Sequence, residues 1–434
     1  MQKTGVIKLG DYRLLCPECG RTFEDNYENK CTGGCSSLLK SVYTQKNLKV
    51  RNLPGMFKYH DWLPVNGYLD IKSAPVTFKS PELSKELGIS NLYVTFNGCL
   101  PGKNAEIKTC SFKELEAVPT MLRMQESRDK NIILVSSAGN TGRAFCEISA
   151  QTGIAAVVVV VKSALDNIWT TKEAENTLLI AVDGDYTDAI EFGNSLCKIN
   201  GITPEGGAKN PARRDGMGTA FLDGALFAGR IPDWYFQAVG SGTGAVAASE
   251  MAERLIEGGG YGDRMPRLYL SQNEGFSPMV SAWNDKRREI IPDPDMPNAK
   301  NSAINAYSPV LTNRTPPYSI RGGLFDALVK TDGVMAAVSA NKAKEAGRLF
   351  EDLCGADIDR AAEVCLASLI DASEKGVIKK GESVLLNITG GGYNRAKEEY
   401  DIIKTEPFAQ VRAGEGISEI EKDVLDWVKN HARG

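Results

Sequence analysis

Four cysteines near the N-terminus stand in two close pairs. Two residues separate Cys16 from Cys19, three separate Cys31 from Cys35, and eleven lie between the pairs. Each short pair can present two thiolates on one turn, and four thiolates form a common ligand set of structural zinc. The spacing predicts a zinc-ribbon-like segment over residues 1–50 that holds zinc, and the alternative is a similar ribbon of reduced cysteines without metal.

A glycine-rich loop in the middle of the chain is suited to binding a phosphate group. It consists of Gly240, Ser241, Gly242, Thr243 and Gly244. The loop lies between a predicted strand and a predicted helix, so that backbone N–H groups and the positive end of the helix can converge on an anion. The alternative is a dinucleotide fingerprint, which Ala245 and Glu274 would complete.

Two further loops carry polar side chains beside glycines. One is Ser137, Ala138, Gly139, Asn140, Thr141 and Gly142, and the other is Thr389, Gly390, Gly391 and Gly392. The carboxamide and hydroxyl groups of the first loop suit a carboxylate or an aromatic hydroxyl, whereas capping of a helix by Asn140 or Thr141 is the alternative. Upstream, Lys113 begins a predicted helix, a position where a lone lysine is usually a solvated surface group.

The elements that would position these loops alternate between strands and helices from about residue 131. The predicted strands are Ile132–Ser136, Ala155–Val161, Leu178–Asp183, Trp234–Val239, Arg267–Ser271, Val334–Val338 and Ser383–Ile388. Such alternation predicts an α/β fold with an open, doubly wound sheet, in which ligands bind at the carboxyl ends of the strands. Residues 285–317 show little periodicity and are interpreted as a long surface excursion in the position of a lid.

The composition favours an enzyme acting on small molecules. The 51 Lys and Arg residues nearly balance the 55 Asp and Glu residues, giving a net charge of −4 without long runs of one sign. We therefore expect no nucleic-acid partner. The longest apolar run, Ile154–Val161, is too short to span a bilayer, so we expect no membrane association. The N-terminus lacks the apolar core of a signal peptide, which predicts a cytoplasmic protein.

Taken together, the motif Ser111-Phe112-Lys113, the loop around Asn140 and the loop Gly240–Gly244 resemble those of the fold type II pyridoxal 5'-phosphate enzymes. The resemblance extends from about Gly67 to the C-terminus. It implies two open doubly wound sheets like those of the tryptophan synthase β-chain. It also implies a catalytic region over residues 51–434, with a smaller α/β subdomain at roughly 120–230 inserted in the larger one.

The resemblance further implies a role for each of these residues. Lys113 would hold the cofactor as a Schiff base and act as the catalytic general base. Asn140 would contact the ring hydroxyl of the cofactor, the loop Gly240–Gly244 its phosphate, and Thr389 its pyridine nitrogen. A neutral hydroxyl at that nitrogen is characteristic of elimination and replacement chemistry in this family.

Within the family the chain is similar to the threonine synthases, which often carry an N-terminal ribbon and an N-P-x-R segment like Asn210–Arg213 here. This likeness implies that the substrate contacts Ser137, Thr141, Asn210 and Arg213. The chain departs from that pattern in having Glu114 and Leu115 after Lys113, Ala138 in place of a hydroxyl, and three glycines after Thr389. These changes predict a different substrate.

The implied reaction is a β-replacement through an aminoacrylate, in which sulfite displaces phosphate from O-phospho-L-serine to give L-cysteate for coenzyme M biosynthesis. The alternative inside the family is threonine formation from O-phospho-L-homoserine. Two alternatives outside it are a nicotinamide dehydrogenase using Gly240–Ala245 and a zinc-ribbon nucleic-acid module. We also expect a homo-oligomer.

Overall fold

A valine-rich strand lies at the centre of a five-stranded parallel sheet, here called the small sheet. The strand is Ala156–Val161, and all its side chains are buried in the computed structural model, which describes residues 11–137 and 139–431. Val158 packs into one hydrophobic cluster and Val159 into another. Because successive side chains point to opposite faces, both faces of the sheet are covered, as expected for parallel strands. The N-terminus, for which no signal peptide is expected, and Ala138 lie outside the described residues.

The small sheet combines distant parts of the chain. In spatial order its strands are Ile202–Pro204, Ile132–Ser137, Ala156–Val161, Thr177–Asp183 and Ala409–Arg412, all parallel. Helix Asn140–Thr152 covers one face, and helices Tyr186–Leu196 and Glu421–His431 cover the other. The C-terminal part of the chain thus returns to this sheet at its edge.

A second, six-stranded sheet, the large sheet, lies in the remainder of the chain. Its strands in spatial order are Val334–Val338, Arg267–Asn273, Trp234–Ala238, Ser383–Ile388, Asn91–Phe96 and Val76–Phe78, of which only the last pair is antiparallel. One face packs against helices Pro81–Leu87, Ala340–Cys354 and Arg360–Glu374, and the other against Pro211–Ala228, Thr243–Gly258 and Leu324–Lys330. All seven predicted strands are present and divide between the two sheets.

The N-terminal cysteines belong to a small antiparallel sheet. Its strands are Thr22–Phe23, Tyr12–Leu15 and Lys40–Tyr43. The polar contacts that attach it to the α/β body include two buried ones. The Tyr43 hydroxyl donates to Asp215 Oδ2 at 2.6 Å, and Arg123 forms an ion pair with Asp25.

Shorter elements complete the chain. They are the paired strands Cys99–Leu100 and Ala105–Glu106, the pair Trp169–Thr170 and Ile403–Lys404, and the helices Pro278–Asn284, Pro292–Asp295, Ala299–Ile304 and Tyr393–Glu399. Two of these helices lie in the predicted surface excursion. Within the described part of the chain, no helix combines the length and hydropathy that crossing a membrane requires.

The two helices that carry Lys113 and Arg213 pack closely against each other. Helix Lys113–Glu126 lies against helix Pro211–Ala228, and their contact includes Gly216. A Cβ atom at Gly216 would overlap the backbone oxygen of Leu115 and lie 2.7 Å from Pro119 Cγ. Glycine is therefore required for this approach, because a backbone oxygen in a packed interior cannot move aside cheaply.

We predict that Gly216→Ala lowers the free energy of unfolding by about 1–3 kcal/mol, the usual cost of overpacking, although alanine is the better helix former. Denaturant unfolding measures this change. The control is Gly218→Ala in the same helix, where the added Cβ meets mainly the flexible side chain of Met251. Equal stability of the two variants would contradict the close-packing argument.

Candidate active site

One cavity lies at the carboxyl ends of strands from both sheets. Ser137 ends a strand of the small sheet, while Gly240 and Thr389 follow strands of the large sheet. All three line a cavity of about 200 Å³. A cavity at this edge is the usual ligand site of open α/β sheets, because the loops after the strands converge there.

The structure brings almost all of the predicted site residues together. Those that line the cavity are Lys113, Ser137, Asn140, Thr141, Arg213, Gly240, Ser241, Gly242, Thr243, Gly244 and Thr389. Asn210 does not line it. The side-chain oxygen of Asn210 caps helix Pro211–Ala228 and accepts from Arg123, and its nitrogen donates to the backbone oxygen of Glu205. Its hydrogen bonds are thus made within the protein.

Lys113 begins its helix at the cavity wall, with only 20% of its side chain exposed. Its Nζ lies 3.2 Å from Glu116 Oε2. Burial lowers the pKa of the Lys113 amine below its ordinary value, and the Glu116 carboxylate only partly offsets this effect. A lowered pKa increases the fraction of neutral amine, which is the form that acts as a nucleophile or a base.

Arg213 is held between two buried carboxylates. Its Nε lies 3.1 Å from Glu116 Oε2, and its Nη1 donates to Glu205 Oε1 at 2.5 Å. Although burial opposes it, attraction to these two carboxylates raises the pKa of Arg213. Sequence reasoning did not identify either carboxylate. The sequence could have indicated Glu116, because it stands three residues after Lys113 and residues at that spacing are neighbours on a helix. Glu205 lies outside the helix that carries Arg213, so no such spacing indicates it.

The loop Gly240–Gly244 requires its glycines. A Cβ at Gly240 would lie 2.5 Å from the backbone oxygen of Val310, and one at Gly244 would lie 2.8 Å from Gln237 Nε2. Gly242 adopts a φ of +78°, a region that favours glycine. The loop leads directly into helix Thr243–Gly258. Its narrow backbone and the helix N-terminus fit the phosphate of a cofactor.

The predicted surface excursion contributes to the same cavity. Its turn Pro309–Leu311 and the following Thr312 and Asn313 line the wall next to the glycine loop. Sequence reasoning placed this segment on the surface in the position of a lid but did not connect it with the phosphate loop. The contact between Val310 and Gly240 depends on residues about 70 positions apart, for which no local pattern exists.

The loop before Asn140 is shaped by Ser137. The Ser137 hydroxyl oxygen accepts from the backbone N–H groups of Gly139 at 3.1 Å and Gly142 at 2.9 Å. Asn140 is the first residue of helix Asn140–Thr152, and Gly139 precedes it without a side-chain cap. The alternative that Asn140 or Thr141 caps this helix is therefore wrong. Both residues line the cavity.

The loop that begins at Thr389 is hydrogen-bonded to the segment that carries Lys113. The backbone N–H of Phe112 donates to the backbone oxygen of Thr389 at 2.9 Å, and Ser111 forms a bridge with Gly390. A carboxyl group that the sequence did not reveal, Asp359, lines the cavity near this loop. Burial raises the pKa of Asp359. It also caps helix Arg360–Glu374, a local role that concealed its position at the cavity.

The four N-terminal cysteines form one cluster whose ligand atoms all lie within 4.8 Å of one another. The Sγ atoms of Cys19 and Cys31 are 3.8 Å apart. This equals the edge of about 3.8 Å expected for a tetrahedron with zinc–sulfur bonds of about 2.3 Å. Burial opposes ionisation of Cys16, but hydrogen bonds from Ser37 and the backbone lower its pKa to about 6. The cluster can bind zinc, and none of its cysteines lines the cavity.

Comparison with known proteins agrees with this geometry. A family model described as "Pyridoxal-phosphate dependent enzyme" matches residues 69–390, so the fold and the cavity define an enzyme of that class. A crystal structure of a pyridoxal 5'-phosphate-dependent aspartate racemase shares the fold with a TM-score of 0.56 at 18% identity, covering 74% of this chain and 90% of that one. The predicted fold type II architecture is confirmed.

Much closer relatives narrow the class. Proteins named "Cysteate synthase" from Methanoculleus marisnigri and Methanospirillum hungatei JF-1 are 53% and 52% identical to the chain. The matches cover 96% and 97% of this chain and 97% and 99% of those proteins. The chain belongs to the cysteate synthase family.

We predict that the purified protein contains about one zinc ion per chain and that the double variant Cys16→Ser, Cys19→Ser loses it, because two of four ligands are removed. Elemental analysis measures the metal. Thermal unfolding should occur at a lower temperature in the variant, since bound zinc contributes to folding. Cys197→Ser, outside the cluster, serves as the control. A wild-type protein prepared without chelators and lacking zinc would contradict the assignment.

Proposed function

We propose that this chain replaces the phosphate of O-phospho-L-serine by sulfite, giving L-cysteate and inorganic phosphate, with pyridoxal 5'-phosphate bound in the cavity. One observation carries the proposal. Lys113 and the loop Gly240–Gly244 line the same cavity, in a chain about half identical to proteins named cysteate synthase. The reaction would serve coenzyme M biosynthesis.

Lys113 has two tasks in this proposal. Its amine would hold the cofactor covalently, and in its free form it would take up and return the proton at the α-carbon of the substrate. The bound cofactor supplies the electron sink that makes this proton acidic. The lowered pKa of Lys113 suits both tasks, because a neutral amine is needed for attack and for proton abstraction.

The other proposed cofactor contacts are the roles that the family resemblance implies, and they fall on residues that line the cavity. The loop Gly240–Gly244, with the hydroxyls of Ser241 and Thr243, binds the phosphate. Asn140 binds the ring hydroxyl from the small-sheet side, and Thr389 faces the pyridine nitrogen from the large-sheet side. Asn140 begins a helix that packs on the small sheet, and Thr389 follows a strand of the large sheet.

Arg213 is the proposed donor to the departing phosphate and the entering sulfite. Its Nε and Nη1 face Glu116 and Glu205, and within the described residues its Nη2 makes no hydrogen bond. This nitrogen can donate to an oxyanion, with charge assistance. Ser137 and Thr141 are proposed to contact the substrate beside it. Asn210 is proposed to act indirectly, because it caps the helix that carries Arg213.

The organisation of the chain is also part of the proposal. Residues 1–50 form a structural segment, and residues 51–434 form the catalytic region with a smaller subdomain at roughly 120–230. The strand Ala409–Arg412 adds the edge of that subdomain's sheet. We propose that the protein works in the cytoplasm as a homo-oligomer. The small-molecule substrates fit the enzyme family.

We predict that Lys113→Ala abolishes turnover and removes the visible absorption of the bound cofactor, because no other amine lines the cavity within the described residues. Absorption spectra and borohydride reduction followed by peptide mapping measure this. The control is Lys108→Ala, since Lys108 lies nearby against Thr171 and Tyr400. A borohydride-reducible cofactor in the Lys113 variant would contradict the assignment.

The proposed reaction is tested by supplying O-phospho-L-serine with sulfite, sulfide or water, and measuring phosphate release and the amino acid formed. We expect cysteate with sulfite, and little threonine from O-phospho-L-homoserine with water. Efficient threonine formation without cysteate would instead support the threonine synthase alternative. Arg213→Ala should lower kcat/KM for phosphoserine by about 10–150-fold, equivalent to the loss of one charged hydrogen bond of about 1.5–3 kcal/mol, with the cofactor still bound.

A further inference from the structure

The side-chain amide of Asn140 is fixed in one orientation by a buried arginine. Arg143 Nη2 lies 2.9 Å from Asn140 Oδ1. A guanidinium group only donates hydrogen bonds, so the Asn140 atom that faces it must be the carbonyl oxygen. The amide nitrogen is then directed away from Arg143. Across residues 11–137 and 139–431, this nitrogen has no hydrogen-bond partner, and Asn140 lines the cavity.

Arg143 is itself tightly held, with 2% of its surface exposed. Its Nε donates to the backbone oxygen of Thr109 at 3.1 Å, and Nη1 donates to that of Asn167 at 3.2 Å. The guanidinium group lies 4.9 Å from the centre of the Trp169 ring and 5.5 Å from that of Tyr393. These contacts fix its plane, so the Asn140 amide has a rigid partner.

The charge of Arg143 is not neutralised by an adjacent carboxylate. Among the described residues it forms no ion pair, and its contacts are carbonyls, a hydroxyl and aromatic rings. The carboxyl group of Asp359 is close enough to interact with its charge, but burial raises the pKa of Asp359 and so disfavours the ionised form. A buried charge without an ionised partner is costly in protein interiors. A buried cation that forms no ion pair can favour an anionic group that binds next to it.

We propose that Arg143 is a positioning residue for the cofactor, acting through Asn140. It holds the amide with its nitrogen towards the cavity, where that nitrogen donates to the ring hydroxyl oxygen. Its charge polarises the amide and thereby favours the ionised form of that oxygen. This inference rests on the proposed function, because it requires pyridoxal 5'-phosphate beside Asn140.

The test is a double-mutant cycle read by absorption rather than by turnover. Apoprotein of the wild type, Asn140→Ala, Arg143→Met and the double variant is reconstituted with pyridoxal 5'-phosphate. The ratio of the visible band, from the ionised ring oxygen, to the near-ultraviolet band, from the neutral form, is recorded against pH. We expect each single variant to lower the ratio at pH 7 by about tenfold, which corresponds to about 1.4 kcal/mol.

The double variant distinguishes action through Asn140 from an independent effect. If Arg143 acts through Asn140, the double variant has the ratio of Asn140→Ala alone, whereas independent effects would multiply. Tyr393→Phe is the control, because it keeps the ring beside Arg143 and removes only the hydroxyl 3.1 Å from Nη2. We expect its ratio to remain within about twofold of the wild type.

Arg143→Lys keeps the inference testable if Arg143→Met does not fold. A lysine retains the charge but not the planar donor geometry, so we expect a smaller fall of the ratio in the same direction, again absent when Asn140 is alanine. An unchanged ratio in folded Arg143 variants, or multiplying effects, would overturn the inference. Wild-type protein that binds no pyridoxal 5'-phosphate would overturn the proposed function itself.

Discussion

The approach of two helices at Gly216 is the constraint on which the site depends. Because Gly216 has no side chain, helix Pro211–Ala228 lies directly on the backbone of helix Lys113–Glu126. The first turns of these helices carry Arg213 and Lys113, so their separation is fixed by backbone contact and does not depend on flexible side chains. Glu116 then lies within reach of both cations. A wider spacing would leave that carboxylate buried with one partner or none, which is costly.

This arrangement gives the cavity a balanced set of fixed charges. Lys113 and Arg213 face Glu116 and Glu205, so the four groups are neutral in sum when all are ionised. The net charge of this network depends on the protonation of Lys113, because burial lowers the pKa of its amine. Arg143 contacts Asn140 without lining the cavity itself, and it is held by backbone carbonyls and aromatic rings. The site therefore combines one charge network that can be rearranged with one that is rigid.

The sequence predicted the parts of the fold whose signal is local. The strands Val334–Val338 and Ser383–Ile388 match their predicted bounds, because short apolar runs mark them. Contacts made by distant residues left no such signal. In the sequence, Asp359 has the position of an ordinary helix cap, and nothing local indicates that it lines the cavity. Asn210 lies outside the cavity, because its side chain makes its hydrogen bonds within the protein. The strand Ala409–Arg412 is short and only partly apolar, and its position is set by the exposed edge it completes.

During synthesis, the edge strand Ala409–Arg412 can pair with its neighbour only late, because it is near the C-terminus. The strand Thr177–Asp183 emerges from the ribosome roughly 230 residues before its neighbour Ala409–Arg412, at synthesis rates of about 5–20 residues per second. For at least ten seconds or so, the small sheet therefore presents an unpaired parallel edge, which is a template for pairing with other chains. Addition of Ala409–Arg412 covers Thr177–Asp183, so a ribosome stalled before residue 409 leaves a product in which that apolar strand is unpaired on one side.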